Sequence, residues 1–104
     1  MKNRQADTYN TLYPILRQRM SSRDMTFQLN TFYDGSAFIM VTVFRKNGVI
    51  TLSMGVVPEF DENDNILAWR INEEDKITRV KSLRDISVRL SAIIQDTRVI
   101  LAKI

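Results

Sequence analysis

The sequence predicts an α+β domain: an N-terminal helix, a four-stranded antiparallel meander, and a C-terminal helix or closing strands. Three observations predict it. Leu12, Leu16 and Met20 recur every four residues near the start. Runs of alternating β-formers fill residues 25–71. Asn47-Gly48, flanked by apolar runs, is the strongest short-range hairpin signal in the chain.

A helix is expected over residues 11–22, with Thr11 as its N-cap. Pro14 then falls in the first turn, where a missing N–H costs little. Tyr9 and Tyr13 extend the stripe. Arg17, Arg19 and Arg23 lie near the C-terminal end, where cations favour the helix dipole.

Met25, Phe27 and Leu29 alternate with Thr26, Gln28 and Asn30, which predicts the first strand. The turn Tyr33-Asp34-Gly35 follows. A three-residue loop with Gly35 in the left-handed conformation pairs Leu29 with Ile39, Phe27 with Val41 and Met25 with Val43. A two-residue Asp-Gly loop would put Asn30 and Gln28 on the core face, because a one-residue slip reverses every side chain. Ala37 to Phe44 is apolar apart from Thr42, and Val49 to Val57 is the next run.

A two-residue Asn47-Gly48 loop pairs Arg45 with Ile50, Val43 with Leu52, Val41 with Met54 and Ile39 with Val56. That aliphatic face is the expected core. The opposite face carries Phe32, Phe38, Met40, Phe44 and Val57 with Thr42, Thr51 and Ser53. The third turn lies in Asp61-Glu62-Asn63-Asp64-Asn65. A four-residue loop there pairs Phe60 with Leu67, Pro58 with Trp69 and Val56 with Ile71. Trp69 and Met54 read as core or interface residues.

The last third reads two ways. Ser82 with Asp85 is a capping-box variant. Leu83, Ile86, Leu90, Ile93, Thr97, Ile100 and Ile104 share one helical stripe, which favours a helix over about 82–96. Ile86, Val88 and Leu90 also alternate, so the other reading is one or two strands closing the meander towards an Sm/SH3-like small barrel.

The 104 residues suit about one domain. With no Cys and no His, zinc fingers, haem ligation and the usual Ser-His and Cys-His nucleophile pairs are excluded. Three glycines form no phosphate-cradling motif. The acidic turn from Asp61 begins like a calcium loop, but an EF-hand needs Gly where Ile66 stands and Glu where Asn72 stands. Glu59 and Asp61 are a carboxylate pair with nothing to place them in a pocket. No catalytic, metal or cofactor residue is therefore assigned. The polar start at Met1 to Thr8 is no signal-peptide core, and no apolar run approaches the roughly 20 residues that span a bilayer. A cytoplasmic protein with no membrane partner is expected.

Charge is uneven. Residues 1–58 carry seven bases and three acids, residues 59–75 one base and seven acids, and residues 76–104 seven bases and two acids. The candidate partner-binding residues are Phe38, Phe44, Arg45, Lys46, Lys81 and Arg84. Aromatics on a sheet beside cations stack bases and hold phosphates. The same aromatics also suit a protein interface.

The segment from Val41 to Ile86, under half of the chain, resembles the YolD-like proteins. The matching features are a strand followed by Lys46-Asn47-Gly48, Gly55 in the next strand, and the acidic turn Phe60-Asp61-Glu62. Ile66-Leu67 and Arg84-Asp85-Ile86 follow. YolD-like proteins are small proteins of Gram-positive bacteria, their phages and plasmids, thought to accompany error-prone repair polymerases. The resemblance implies an accessory or regulatory role on a mobile element. The expected function is a small non-enzymatic interaction protein with a protein partner. The alternatives are a nucleic-acid module using the basic and aromatic sheet face, and a structural homo-oligomer.

Overall fold

The structure is a computed structural model and describes residues 3–19, 23–46, 48–73 and 76–102. Helix α1 spans Arg4–Arg19. Strands β1 (Met25–Thr31), β2 (Ala37–Arg45), β3 (Gly48–Phe60), β4 (Ile66–Glu73) and β5 (Lys76–Val80) follow, and α2 spans Leu83–Ala102. The strands form one antiparallel sheet in the order β1-β2-β3-β4-β5. Both helices pack on the same side of it. Leu12 and Leu16 of α1 and Ile86 and Leu90 of α2 join the sheet's Ile39, Val41, Val43, Met54, Val56, Trp69 and Ile71 in one buried cluster.

Helix α1 begins earlier than the expected residue 11. Asn3 caps it, its Oδ1 accepting from the Ala6 N–H at 3.0 Å. The Thr11 hydroxyl instead donates to the Asp7 carbonyl inside the helix. Pro14 therefore sits in the helix interior. The apolar spacing registered only the part of the helix that touches the core. The buried stripe is Thr8, Leu12 and Leu16, while Tyr9 and Tyr13 stack at its side with ring centroids 5.3 Å apart. Met20 lies outside the described residues.

The β1–β2 pairing is the expected one, with Leu29 opposite Ile39, Phe27 opposite Val41 and Met25 opposite Val43. Gly35 has φ +92°, the left-handed conformation the three-residue loop demands. Asp34 Oδ1 closes that loop by accepting from the Ser36 hydroxyl at 2.6 Å and the Ser36 N–H at 2.9 Å. These two bonds, the hydroxyl's first, hold the Asp34 carboxyl below the ordinary value of 3.8. The folded loop thus favours the carboxylate. Its contribution is present above the unfolded pKa and is lost as pH falls through the folded one. In Ser36→Ala, an NMR titration of Asp34 is expected to move up towards 3.8. An unchanged titration would refute the assignment of the cause.

The β2–β3 register differs from expectation by two residues. Arg45 faces Gly48, Val43 faces Ile50, Val41 faces Leu52 and Ile39 faces Met54. Gly48 is therefore not a turn residue but the first residue of β3, at φ +152°. A shift of two leaves every side chain on its face, so the apolar pattern is blind to it. Asn47 itself lies outside the described residues.

The β3–β4 loop is three residues long, not four. Asp61 and Asn65 are bonded across it, and Asp64 takes the left-handed position at φ 61°, which aspartate tolerates. Asp61 Oδ1 accepts from the Asn63 and Asn65 N–H groups. Phe60 pairs with Ile66 rather than Leu67, and a bulge beyond it restores the expected Pro58–Trp69 and Val56–Ile71 pairs. Leu67 is 57% exposed as a result.

Strand β5 corrects the expected four strands to five. The last segment is a helix, and Ser82 Oγ caps it by accepting from the Asp85 N–H at 3.1 Å. The sheet ends at β1 and β5 and stays open, so the closed-barrel alternative does not hold. The side chains of Leu83, Ile93, Thr97, Ile100 and Ile104 lie outside those described. No helix among the described residues is long and apolar enough to cross a membrane.

Candidate interaction surfaces

Alternation in β2 and β3 sends Ile39, Val41, Val43, Met54 and Val56 to the helices and their neighbours to the other side. No described element covers that other side. Phe38, Met40 and Val57 lie half-buried on it. Phe44 and Val49 form a cross-strand pair near its end, 44% and 57% exposed, and Ile77 of β5 is 70% exposed. Phe32 continues this face at the β1–β2 loop and is 51% exposed. Thr42 and Thr51 face each other in the middle.

The described charges on this face are few. Glu59 and Arg79 are paired at 2.6 Å, from β3 to β5, across β4. The β4 residue opposite Glu59 is Ala68, whose small side chain is fully buried. Arg70 adds one exposed cation.

The six candidate partner-binding residues do not converge. Phe38 and Phe44 lie on the open face. Arg45 ends β2 opposite Gly48, with its side chain outside those described, and Lys46 occupies the adjoining turn. Lys81 and Arg84 flank the start of α2. Lys81 lines a cleft with Arg79, Val80, Asp85, Val88, Arg89 and Ala92, while Arg84 does not.

A second cluster escaped the sequence reading. The N-terminal turn of α1 is clamped between two loops at one end of the sheet. The Arg4 guanidinium pairs with Asp64 and lies 4.3 Å from the centroid of the Phe60 ring. The buried Thr8 hydroxyl donates to the Gly35 carbonyl at 2.6 Å, and the Gln5 amide donates to the Thr31 carbonyl at 2.7 Å. These bonds tie the first turns of α1 to both loops, so the cluster is a structural clamp. A shallow groove of about 340 Å³ beside it is lined by Asp7, Asn10, Thr11, Asp64, Asn65 and Ile66. Among the described residues, no group of His, Cys, Asp or Glu is arranged to hold a metal ion.

Comparison of the chain with protein-family models, with curated proteins and with solved structures finds no match.

Proposed function

We propose that this chain is a non-enzymatic protein-binding module whose open sheet face docks a protein partner. An accessory or regulatory role, of the kind the YolD-like resemblance implies, accords with that reading. One observation carries it: both helices lie on one side, leaving Phe38, Met40, Phe44, Val49, Val57 and Ile77 on a face that no described element covers. Apolar side chains gathered on such a face mark an interaction site. Charge favours a protein over a nucleic acid. Phosphate binding needs several converging cations, and among the described strand residues of this face Arg79 is paired with Glu59, which leaves Arg70.

Photo-cross-linking tests this. A benzophenone amino acid replacing Phe44 or Ile77 is expected to give an adduct with a second protein in cells that make this one. The same group replacing Gln18, exposed on α1, is expected to give none. No adduct from the sheet face, or one from all three positions, removes the proposal. An adduct of twice the chain mass replaces it with a homo-oligomer, and a nuclease-sensitive one with a nucleic-acid module.

A further inference from the structure

Strand β1 ends the sheet on the side opposite β5, and the direction of its backbone groups follows from its pairing. At one end the Phe44 N–H donates to the Asp24 carbonyl at 2.7 Å, and at the other the Phe32 N–H donates to the Ser36 carbonyl at 2.9 Å. Bonded and non-bonded pairs alternate between these ends of the antiparallel ladder. Thr26, Gln28 and Asn30 therefore bond to β2, while Met25, Phe27, Leu29 and Thr31 direct their N–H and C=O groups away from it. The Gln5 amide, which donates to the Thr31 carbonyl from outside the sheet, agrees with that assignment.

Natural sheets hinder pairing at their edges with charge, proline or a bulge. Strand β5 follows that rule, with Lys76 and Arg79 among its five residues. Strand β1 does not. Its seven residues hold no charge, proline or glycine, and its register with β2 is unbroken from Met25 to Thr31.

The strand is complementary to itself. Two copies laid antiparallel in full overlap set Gln28 opposite its own counterpart, Thr26 opposite Asn30, Phe27 opposite Leu29 and Met25 opposite Thr31. Outward-directed residues then face outward-directed residues, so their N–H and C=O groups meet in bonded pairs. Polar side chains meet on the open face. The half-buried Phe27 and Leu29 meet on the helix side.

Helix α1 selects a second copy over an unrelated strand. Gln5 bonds to Thr31, and Tyr13 rests on Phe27 with ring centroids 5.8 Å apart. The eight helical steps between Gln5 and Tyr13 rise about 12 Å, and the four extended steps from Thr31 to Phe27 span about 13 Å. Helix and strand thus run side by side, with Tyr9 level with Leu29. A two-fold axis at Gln28 exchanges the levels of Phe27 and Leu29, and so brings Tyr9 level with Tyr13 of the second copy. Tyr9 is 40% exposed and stacks on Tyr13. A bare strand would leave that aromatic pair in water, whereas a second copy covers it with its own.

We infer that two copies of this chain join through their β1 edges about a two-fold axis at Gln28. The two sheets become one, with both open faces on the same side and free for the partner proposed above.

Sedimentation equilibrium of the full chain is expected to show a mass that rises with concentration to that of a dimer. The chain has no cysteine, so Gln28→Cys places a lone thiol on the axis. Residues of a non-bonded antiparallel pair have Cα atoms about 4.5 Å apart, within disulfide reach. Gln28→Cys is expected to oxidise to a disulfide dimer far faster than Thr51→Cys, which is exposed on the open face. Gln28 is exposed, so Gln28→Glu and Gln28→Lys are expected to keep the fold. Each sets like charges across the axis and is expected to weaken association by about tenfold or more. Mixing the two variants is expected to restore it, because glutamate then faces lysine. Phe44→Asp is expected to leave association unchanged, which separates this edge from the open face. The inference is overturned by a monomer mass at every concentration, by equal oxidation of the two cysteine variants, by association that Gln28→Glu does not weaken or that mixing does not restore, or by its loss in Phe44→Asp.

Discussion

Replacing Ile39 with alanine is expected to lower the unfolding free energy by about 2–5 kcal/mol, whereas Met40→Ala is expected to cost about 1 kcal/mol or less. The two residues are neighbours in β2 and differ in the side of the sheet they occupy. Ile39 is fully buried, paired with Leu29 and Met54 beneath the helices. Truncation there removes transfer free energy and leaves a cavity that close-packed neighbours fill only in part. Met40 is half-buried on the open face, where truncation opens no enclosed void. Urea denaturation followed by circular dichroism measures both. A loss at Met40 as large as at Ile39 would mean that the open face is packed against something in the native protein. That outcome would redirect the proposed function towards self-association.

Gly35→Ala is expected to lower stability by about 2–3 kcal/mol, combining left-handed backbone strain with a steric clash. The φ of +92° disfavours any side chain. An added Cβ would also lie 2.9 Å from Phe60 Cζ and 3.1 Å from Arg4 Cβ. Arg4 Cβ belongs to the first turn of α1, which Thr8 ties to the same loop and Gln5 to the end of β1. The clash is thus met by moving the helix, the Phe60 ring or both. Gly48→Ala is the comparison. Its φ is +152° with nothing within 4 Å of the added Cβ, so only the backbone term remains, about 1 kcal/mol. Equal midpoint shifts for the two variants in thermal unfolding would show that the clamp does not constrain Gly35.

The parts of the fold legible beforehand share a physical cause. Side-chain parity in a strand is strict, so Leu29–Ile39 pairing and the aliphatic core face follow from local alternation. Ser82 caps α2 through a bond that spans three residues. The misjudged features are those to which parity is indifferent. A two-residue slip between β2 and β3 keeps every face, and a bulge opposite Phe60 lets a three-residue loop give the pairs expected of a four-residue one. Strand β5 was hidden because Lys76-Ile77-Thr78-Arg79-Val80 offers only five residues, two of them cations. Its alternation of Thr78 and Val80 against Ile77 and Arg79 was the available signal.

The candidate residues divide the same way. Phe38 and Phe44 share a face by parity and are found together. Lys81 was singled out for its charge, but the cleft it lines is formed jointly with side chains of α2. The contact of Arg4 with Asp64 joins residues 60 positions apart and has no local signature.

By itself the sequence determined the alternation of faces, the presence of an antiparallel meander, the loop at Gly35 and the exclusion of His- and Cys-based chemistry, because each depends on residues within a few positions or on composition alone. The tertiary structure decided that both helices share one side, that β5 is the last edge, and that α1 is clamped by two loops. Each of those depends on contacts between segments distant in the chain, whose free energy arises only when the whole core closes.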